Sequence, residues 1–156
     1  MADKFENYLK NEKSEYKTIA LTSNSYRNIE HSLNDNAINN NLATYGDALL
    51  KLALCDILFY EKVENITVEK EKYESDEVLV KAVAKHYNLL EYIRYDCNDE
   101  KIPKNYDYIR AKNGSTHKYI ATAVEALLAA FYFDNKNDFE LVVNVVKEWK
   151  SWIGNN

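Results

Sequence analysis

Two carboxylates stand inside helical patterns that otherwise call for apolar packing. Asp47 lies in NNNLATYGDALLKLAL (Asn39 to Leu54), and the residues one or two turns away on its own face are Ala43, Leu50, Lys51 and Leu54. Glu125 lies in HKYIATAVEALLAAFYFD (His117 to Asp134), with Ala121, Thr122, Leu128, Ala129 and Tyr132 as its face neighbours. A carboxylate on such a surface is costly to bury unless a cation or hydrogen-bond donors meet it. Each acid has an ordinary use. Asp47 can pair with Lys51 at i+4, worth about 0.3–0.5 kcal/mol at an exposed site. Glu125 can form a buried salt bridge to a lysine or arginine from elsewhere in the chain. The chemical alternative is a shared cation: two inward carboxylates from facing helices, completed by water, suit Mg²⁺, which takes oxygen ligands and keeps much of its hydration. Such an ion activates water and stabilises a phosphoryl transition state.

A phosphate-bearing substrate would need positive charge close by. The segment KIPKNYDYIRAKNGSTHK carries Lys101, Lys104, Arg110, Lys112 and Lys118 against Asp107 alone, with two tyrosines and His117. Arg110, Lys112, Lys118 and His117 are the candidate contacts to a nucleic-acid backbone. The bland reading of the same stretch is a solvated loop, with His117 an exposed residue at a helix start.

These residues must be positioned by helices. Apolar residues recur at helical spacing over about 3–10, 15–22, 38–61, 76–95, 117–134 and 137–153, with no repeat or linker between them. The last segment places Phe139, Val142, Val143, Val146, Trp149 and Ile153 on one stripe, with a cap at Asn137 or Asp138 and Gly154 just past its end. Ser75-Asp76 reads as a cap for the 76–95 helix, whose stripe runs through Val78, Val80, Val83 and Leu89. The stretch IPKNYDYIRAKNGST, with the only proline and one of three glycines, is the main loop and leads into a helix starting near Ser115 or Thr116. Gly46 is conspicuous. An interior helical glycine costs roughly 1 kcal/mol against alanine, so its place beside Asp47 predicts the close approach of another helix or of substrate.

The whole chain of 156 residues, 46% of them apolar, suffices for one domain (1–156) with a real core, and so few glycines and prolines favour an all-α fold. No apolar run reaches membrane-spanning length and no basic leader precedes one, so a soluble, cytoplasmic protein is expected. Cys55 and Cys97 lack metal-binding spacing and are expected to be reduced, buried thiols. A formal net charge of −5 disfavours coating of nucleic acid by bulk attraction.

Three segments resemble the ribonuclease III endonuclease domain. NNNLATYGDALL resembles the family's helix NERLEFLGDAVL, matching best at Leu42, Gly46, Asp47, Ala48 and Leu50; YIATAVEALLAAFYFD (Tyr119 to Asp134) resembles ILADALEALIGAIYLD; and ALTSNSY (Ala20 to Tyr26) resembles ALTHRSY. They occur in the family's order, and LVKAVAKHYNLLEYIRYD resembles the intervening helix. The resemblance implies an all-helical homodimer that binds double-stranded or structured RNA along the dimer valley. It further implies Mg²⁺-dependent hydrolysis of each strand, with Mn²⁺ as a substitute ion and Asp47 and Glu125 as catalytic, metal-handling residues in RNA processing. In length the chain is similar to the compact Mini-III type, which lacks a double-stranded-RNA-binding domain.

The family carries glutamates where this chain has Asn40 and Ala43, an aspartate at Thr122, and commonly a histidine at Ser23. Each lost carboxylate implies weaker metal binding, by about 10- to 100-fold for a group that orients a ligand. Thr122 could offer its hydroxyl to a metal-bound water or simply pack between helices. The same departures fit a catalytically inactive dimer that binds RNA or scaffolds a ribonucleoprotein, and a heterodimer whose partner chain supplies the missing acids.

Overall fold

The computed structural model describes residues 3–154 and is helical, with no strand among them. Its long elements are α1 (Lys4–Asn11), α2 (Glu15–Ala20), α3 (Asn40–Tyr60), α4 (Ile66–Glu74), α6 (Lys118–Asp134) and α7 (Phe139–Gly154). Between α4 and α6 a single turn, α5 (Asp76–Val78), runs into a π-helical turn over Leu79–Ala84. Short 3₁₀ turns occupy Asn24–Asn28, Asp35–Ala37 and Leu89–Glu91.

The core is organised around α6. Ten of its 17 residues are buried, which is the pattern of a helix surrounded by protein rather than of a surface helix with one apolar stripe. It packs along α3, with α2, the π turn and α7 closing the other sides. Trp149 of α7 is buried and donates its indole N–H to the Tyr87 hydroxyl at 2.9 Å. That hydroxyl in turn donates to Asp3 at 3.0 Å, whose other carboxylate oxygen caps α1 through the Phe5 N–H at 2.9 Å. The tryptophan therefore serves packing, and one polar chain ties α1, the end of the π segment and α7 together.

Four expectations need correction. The 76–95 stretch is not one helix: after the π turn, Asn88 adopts a left-handed conformation (φ 53°), which asparagine tolerates better than most side chains, and the chain turns into the Leu89–Glu91 segment. The π turn keeps two adjacent pairs, Leu79 with Val80 and Val83 with Ala84, fully inside. Helix α4 was absent from the sequence expectation because it buries no residue completely. It is carried instead by an Asn65 cap, whose side chain accepts from the Val68 N–H at 3.2 Å, and by the pairs Lys70–Glu74 and Lys72–Glu69 at 2.8 and 2.9 Å. Cys97 is exposed and Cys55 half-buried, both as free thiols, because neither falls on a core-facing position. Finally, Gly154 closes α7 from within rather than lying beyond it.

Other boundaries agree with the spacing. Ser75 accepts from the Val78 N–H as the cap of α5, and Asp138 accepts from the Glu140 N–H at 3.0 Å before α7. The main loop runs from the Leu89–Glu91 turn to α6, and a tight turn within it places Gly114 at φ 90°. An isolated parallel bridge between Thr22 and Arg94 pins the ALTSNSY segment to the start of that loop. Among the described residues no helix is long and apolar enough to cross a membrane.

Candidate active site

Helices α3 and α6 cross at Gly46. A Cβ placed on that residue would lie 1.7 Å from the Glu125 carbonyl oxygen and 2.5 Å from its carbonyl carbon, so only glycine permits the approach. The crossing puts Asp47, the next residue on α3, beside Glu125 of α6. Their carboxyl groups come within hydrogen-bonding reach in an open cleft of about 890 Å³ between α3, α6 and the α4–α5 junction. The cleft walls also carry Lys51, Glu71, Glu74, Asp76, Arg110 and Lys118.

The two acids are not equivalent. Desolvation, the hydrogen bond with Asp47 and the negative charges of Asp47 and Asp76 push Glu125 up to about 8, with Lys118 opposing. Asp47 is held below the ordinary carboxylate range: its partial desolvation is outweighed by hydrogen bonds to Lys51 and Glu125 and by the charges of Lys51 and Lys70. Near neutral pH the pair therefore carries one proton, on Glu125, and one full negative charge, on Asp47. Two carboxyls this close cannot both ionise without mutual repulsion, which is why their proton affinities are driven apart.

The ordinary use expected for Asp47 is present: Lys51 Nζ lies 2.7 Å from its Oδ2. That expected for Glu125 is not, since the nearby ammonium groups of Lys51 and Lys118 are bonded to Asp47 and Asp76. Thr122 faces the same cleft, and its hydroxyl donates back to the Lys118 carbonyl at 3.0 Å, leaving oxygen lone pairs toward the cleft. Asn40 and Ala43 complete the wall, which is thus uncharged at these two positions and at Thr122.

Of the basic candidates, Arg110 and Lys118 line the cleft, whereas Lys112 is exposed on the loop outside it. His117 is a correction. It is 3% exposed, with Nε2 in a 2.8 Å hydrogen bond to Asn105 Oδ1, and burial pushes it below its ordinary range. Its ring holds the loop against α6 and presents no face to an RNA backbone.

Sequence reasoning passed over Glu74 as a site residue and treated Asp76 only as part of a cap. Both reach the cleft because α4 folds back alongside α3, a placement with no signature in local spacing. Glu74 is engaged by Lys70 at 2.8 Å.

The donor set fits a hydrated ion. Among the described residues no group of three or more histidine, cysteine or acidic side chains is gathered closely enough to hold a metal by itself. Two oxygen-donor carboxyls suit an ion that retains most of its water, as Mg²⁺ does, rather than a closed zinc cage.

A search of curated proteins returns no match. Among solved structures, the nuclease domain of ribonuclease III from Campylobacter jejuni superposes with a TM-score of 0.70 at 18% identity, covering 93% of this chain and 92% of that one. That structure is described as flexible in a region involved in dimer formation. At this identity the likeness concerns the fold. The family model for the ribonuclease III domain matches residues 40–136, a span that holds α3, the cleft and all of α6. The chain belongs to the ribonuclease III domain family.

Proposed function

We propose that this chain is a metal-dependent endoribonuclease acting on double-stranded or structured RNA, with Asp47 and Glu125 as its catalytic acids. The observation that carries the reading is the convergence of these two carboxyls, at a glycine-only helix crossing, in a cleft rimmed by Arg110 and Lys118. Asp47, ionised, would provide the fixed negative charge for a cation, and Glu125, on releasing its proton to solvent, would be the second carboxylate to hold it. A Mg²⁺ ion held there would supply an activated water and neutralise charge developing on a phosphodiester. Arg110 and Lys118 would hold RNA phosphates over the acids, and the Thr122 oxygen, its hydrogen given to the Lys118 carbonyl, would accept from water in the cleft.

A homodimer is part of this reading. Tyr45, Leu52 and Phe59 recur at seven-residue intervals on α3 and are exposed, a seam that a second copy would cover. The test is incubation of the purified protein with a perfect RNA duplex in Mg²⁺ or Mn²⁺. Cleavage is expected, and Asp47→Asn and Glu125→Gln should each abolish it; a folded dimer that leaves the duplex intact in both ions would sink the proposal.

One observation favours a second reading. Asn40, Ala43 and Thr122 leave the cleft short of acids, and Lys51 already neutralises Asp47. A non-catalytic RNA-binding dimer would bind duplex with strong salt dependence, cut nothing, and be indifferent to Glu125→Gln.

A further inference from the structure

Asp76 occupies the first turn of α5, where the Ser75 hydroxyl oxygen accepts from the Val78 N–H at 3.3 Å and fixes the turn. From there the Asp76 side chain enters the cleft that holds Asp47 and Glu125, and its charge bears on the Glu125 carboxyl. Across the cleft its oxygen lies 3.4 Å from Lys118 Nζ on α6, one turn before Thr122. That contact is looser than the 2.7 Å pair of Lys51 with Asp47, and the Lys118 side chain is 66% exposed against 30% for Asp76. The ammonium is thus free to leave for a phosphate, while the carboxylate stays where the capped turn puts it.

The walls contributed by α3 and α6 are uncharged at Ala43 and Thr122, and an acid has instead arrived from the α4–α5 junction on the side facing Glu125. Asp76 does not form, with Asp47 and Glu125, a cluster tight enough for three direct ligands. Its reach to an ion between those two is through water. The waters on a hydrated divalent ion are strong donors directed outward, and a fixed carboxylate at that remove accepts from one of them and sets its orientation.

We infer that Asp76 is a positioning acid of this site, standing in for the carboxylate absent at Thr122 by accepting a hydrogen bond from a water on a cation held by Asp47 and Glu125. The inference rests on the metal-dependent reading above. The competing role for Asp76 is purely structural, as an anchor for Lys118.

Titration of the RNA-free protein with Mn²⁺, followed by the electron paramagnetic resonance signal of the free ion, separates these roles. Asp47→Asn should remove binding and so locate the ion. Asp76→Asn should weaken Mn²⁺ binding about 10-fold, and Asp76→Glu should recover most of that loss. Lys118→Met, which releases Asp76 from the ammonium, should tighten binding, and this variant carries the test alone if Asp76→Asn does not fold. Glu69→Gln, outside the cleft, should match the parent. If Asp76→Asn binds Mn²⁺ as the parent does, or if Lys118→Met weakens binding as Asp76→Asn does, the inference is overturned while the site of Asp47 and Glu125 stands. If the parent protein binds no Mn²⁺, or Asp47→Asn makes no difference, the metal-dependent reading itself fails, and this inference with it.

Discussion

The carbonyl oxygen of Glu125 lies 1.7 Å from where a Cβ on Gly46 would have to be. The backbone of one helix is therefore seated in the notch left by a missing side chain on the other, and the clash involves main chain that cannot rotate away. Gly46→Ala should gain helix propensity on α3 yet destabilise the protein by about 3 kcal/mol or more through forced separation of α3 from α6. Urea unfolding would measure the loss. A variant as stable as the parent would show that the two helices can part at little cost.

The proton on Glu125 has a thermodynamic consequence in metal-free protein. Its folded-state value of about 8 lies above the 4.5 of an unperturbed glutamate, so the folded chain binds an extra proton between those values. The associated stability is complete below about pH 4.5 and is lost as pH rises toward 8. Glutamine carries no charge and can still donate to Asp47. Glu125→Gln should thus exceed the parent in stability on the alkaline side, on the order of 1–2 kcal/mol after screening by solvent in the open cleft, with the gap closing toward acid. Denaturant melts in chelator at about pH 5 and about pH 8.5 would read the difference.

Thr122 faces the cleft one turn from Glu125 and spends its hydroxyl hydrogen on the Lys118 carbonyl. Replacing it with aspartate restores a carboxylate on the α6 wall. Thr122→Asp should raise Mn²⁺ affinity by about 10-fold, and the rate of duplex cleavage with it. Binding that falls instead would mean the added charge only repels Asp47 and Asp76.

Arg110 and Lys118 differ from Lys112 in lining the cleft. Arg110→Ala and Lys118→Ala should each weaken duplex binding and reduce the slope of log affinity against log salt by about 1, whereas Lys112→Ala should leave the slope nearly unchanged. Fluorescence anisotropy over a salt series gives these slopes directly. Equal effects from all three would place RNA along the loop rather than over the acids.

The parts of the fold that could be read from the chain are those where burial imposes a period. Helices α3 and α6 fall close to their expected limits because each carries long runs of residues that must be inside. Gly46 could be read as well, since its cost in an isolated helix demands a compensating contact, and that contact is the Glu125 backbone. Helix α4 could not, because it is held by ion pairs and a cap rather than by a buried stripe. Within the cleft, Asp47 and Glu125 were conspicuous as acids on apolar faces. Glu74 and Asp76 look like ordinary surface charge in the sequence and acquire meaning only when α4 folds back beside α3. The burial of His117 was equally invisible: nothing local signals that Asn105, twelve residues earlier, closes over its ring.

The π turn at Leu79–Ala84 gives this stretch a residue to spare, so it tolerates change in length as well as in composition. A wide turn accommodates one residue beyond what α-helical winding would hold. Exchanges among apolar residues of similar size at Leu79, Val80 or Val83 should be absorbed by the surrounding core. Deleting one residue there would return the backbone to ordinary winding with the flanking turns nearly in phase, whereas a deletion within an ordinary α-helix rotates everything upstream by about 100° relative to everything downstream. Asp76 would keep its place beside Glu125, so a deletion in the π turn should leave the cleft standing where a deletion within α3 or α6 would unmake it.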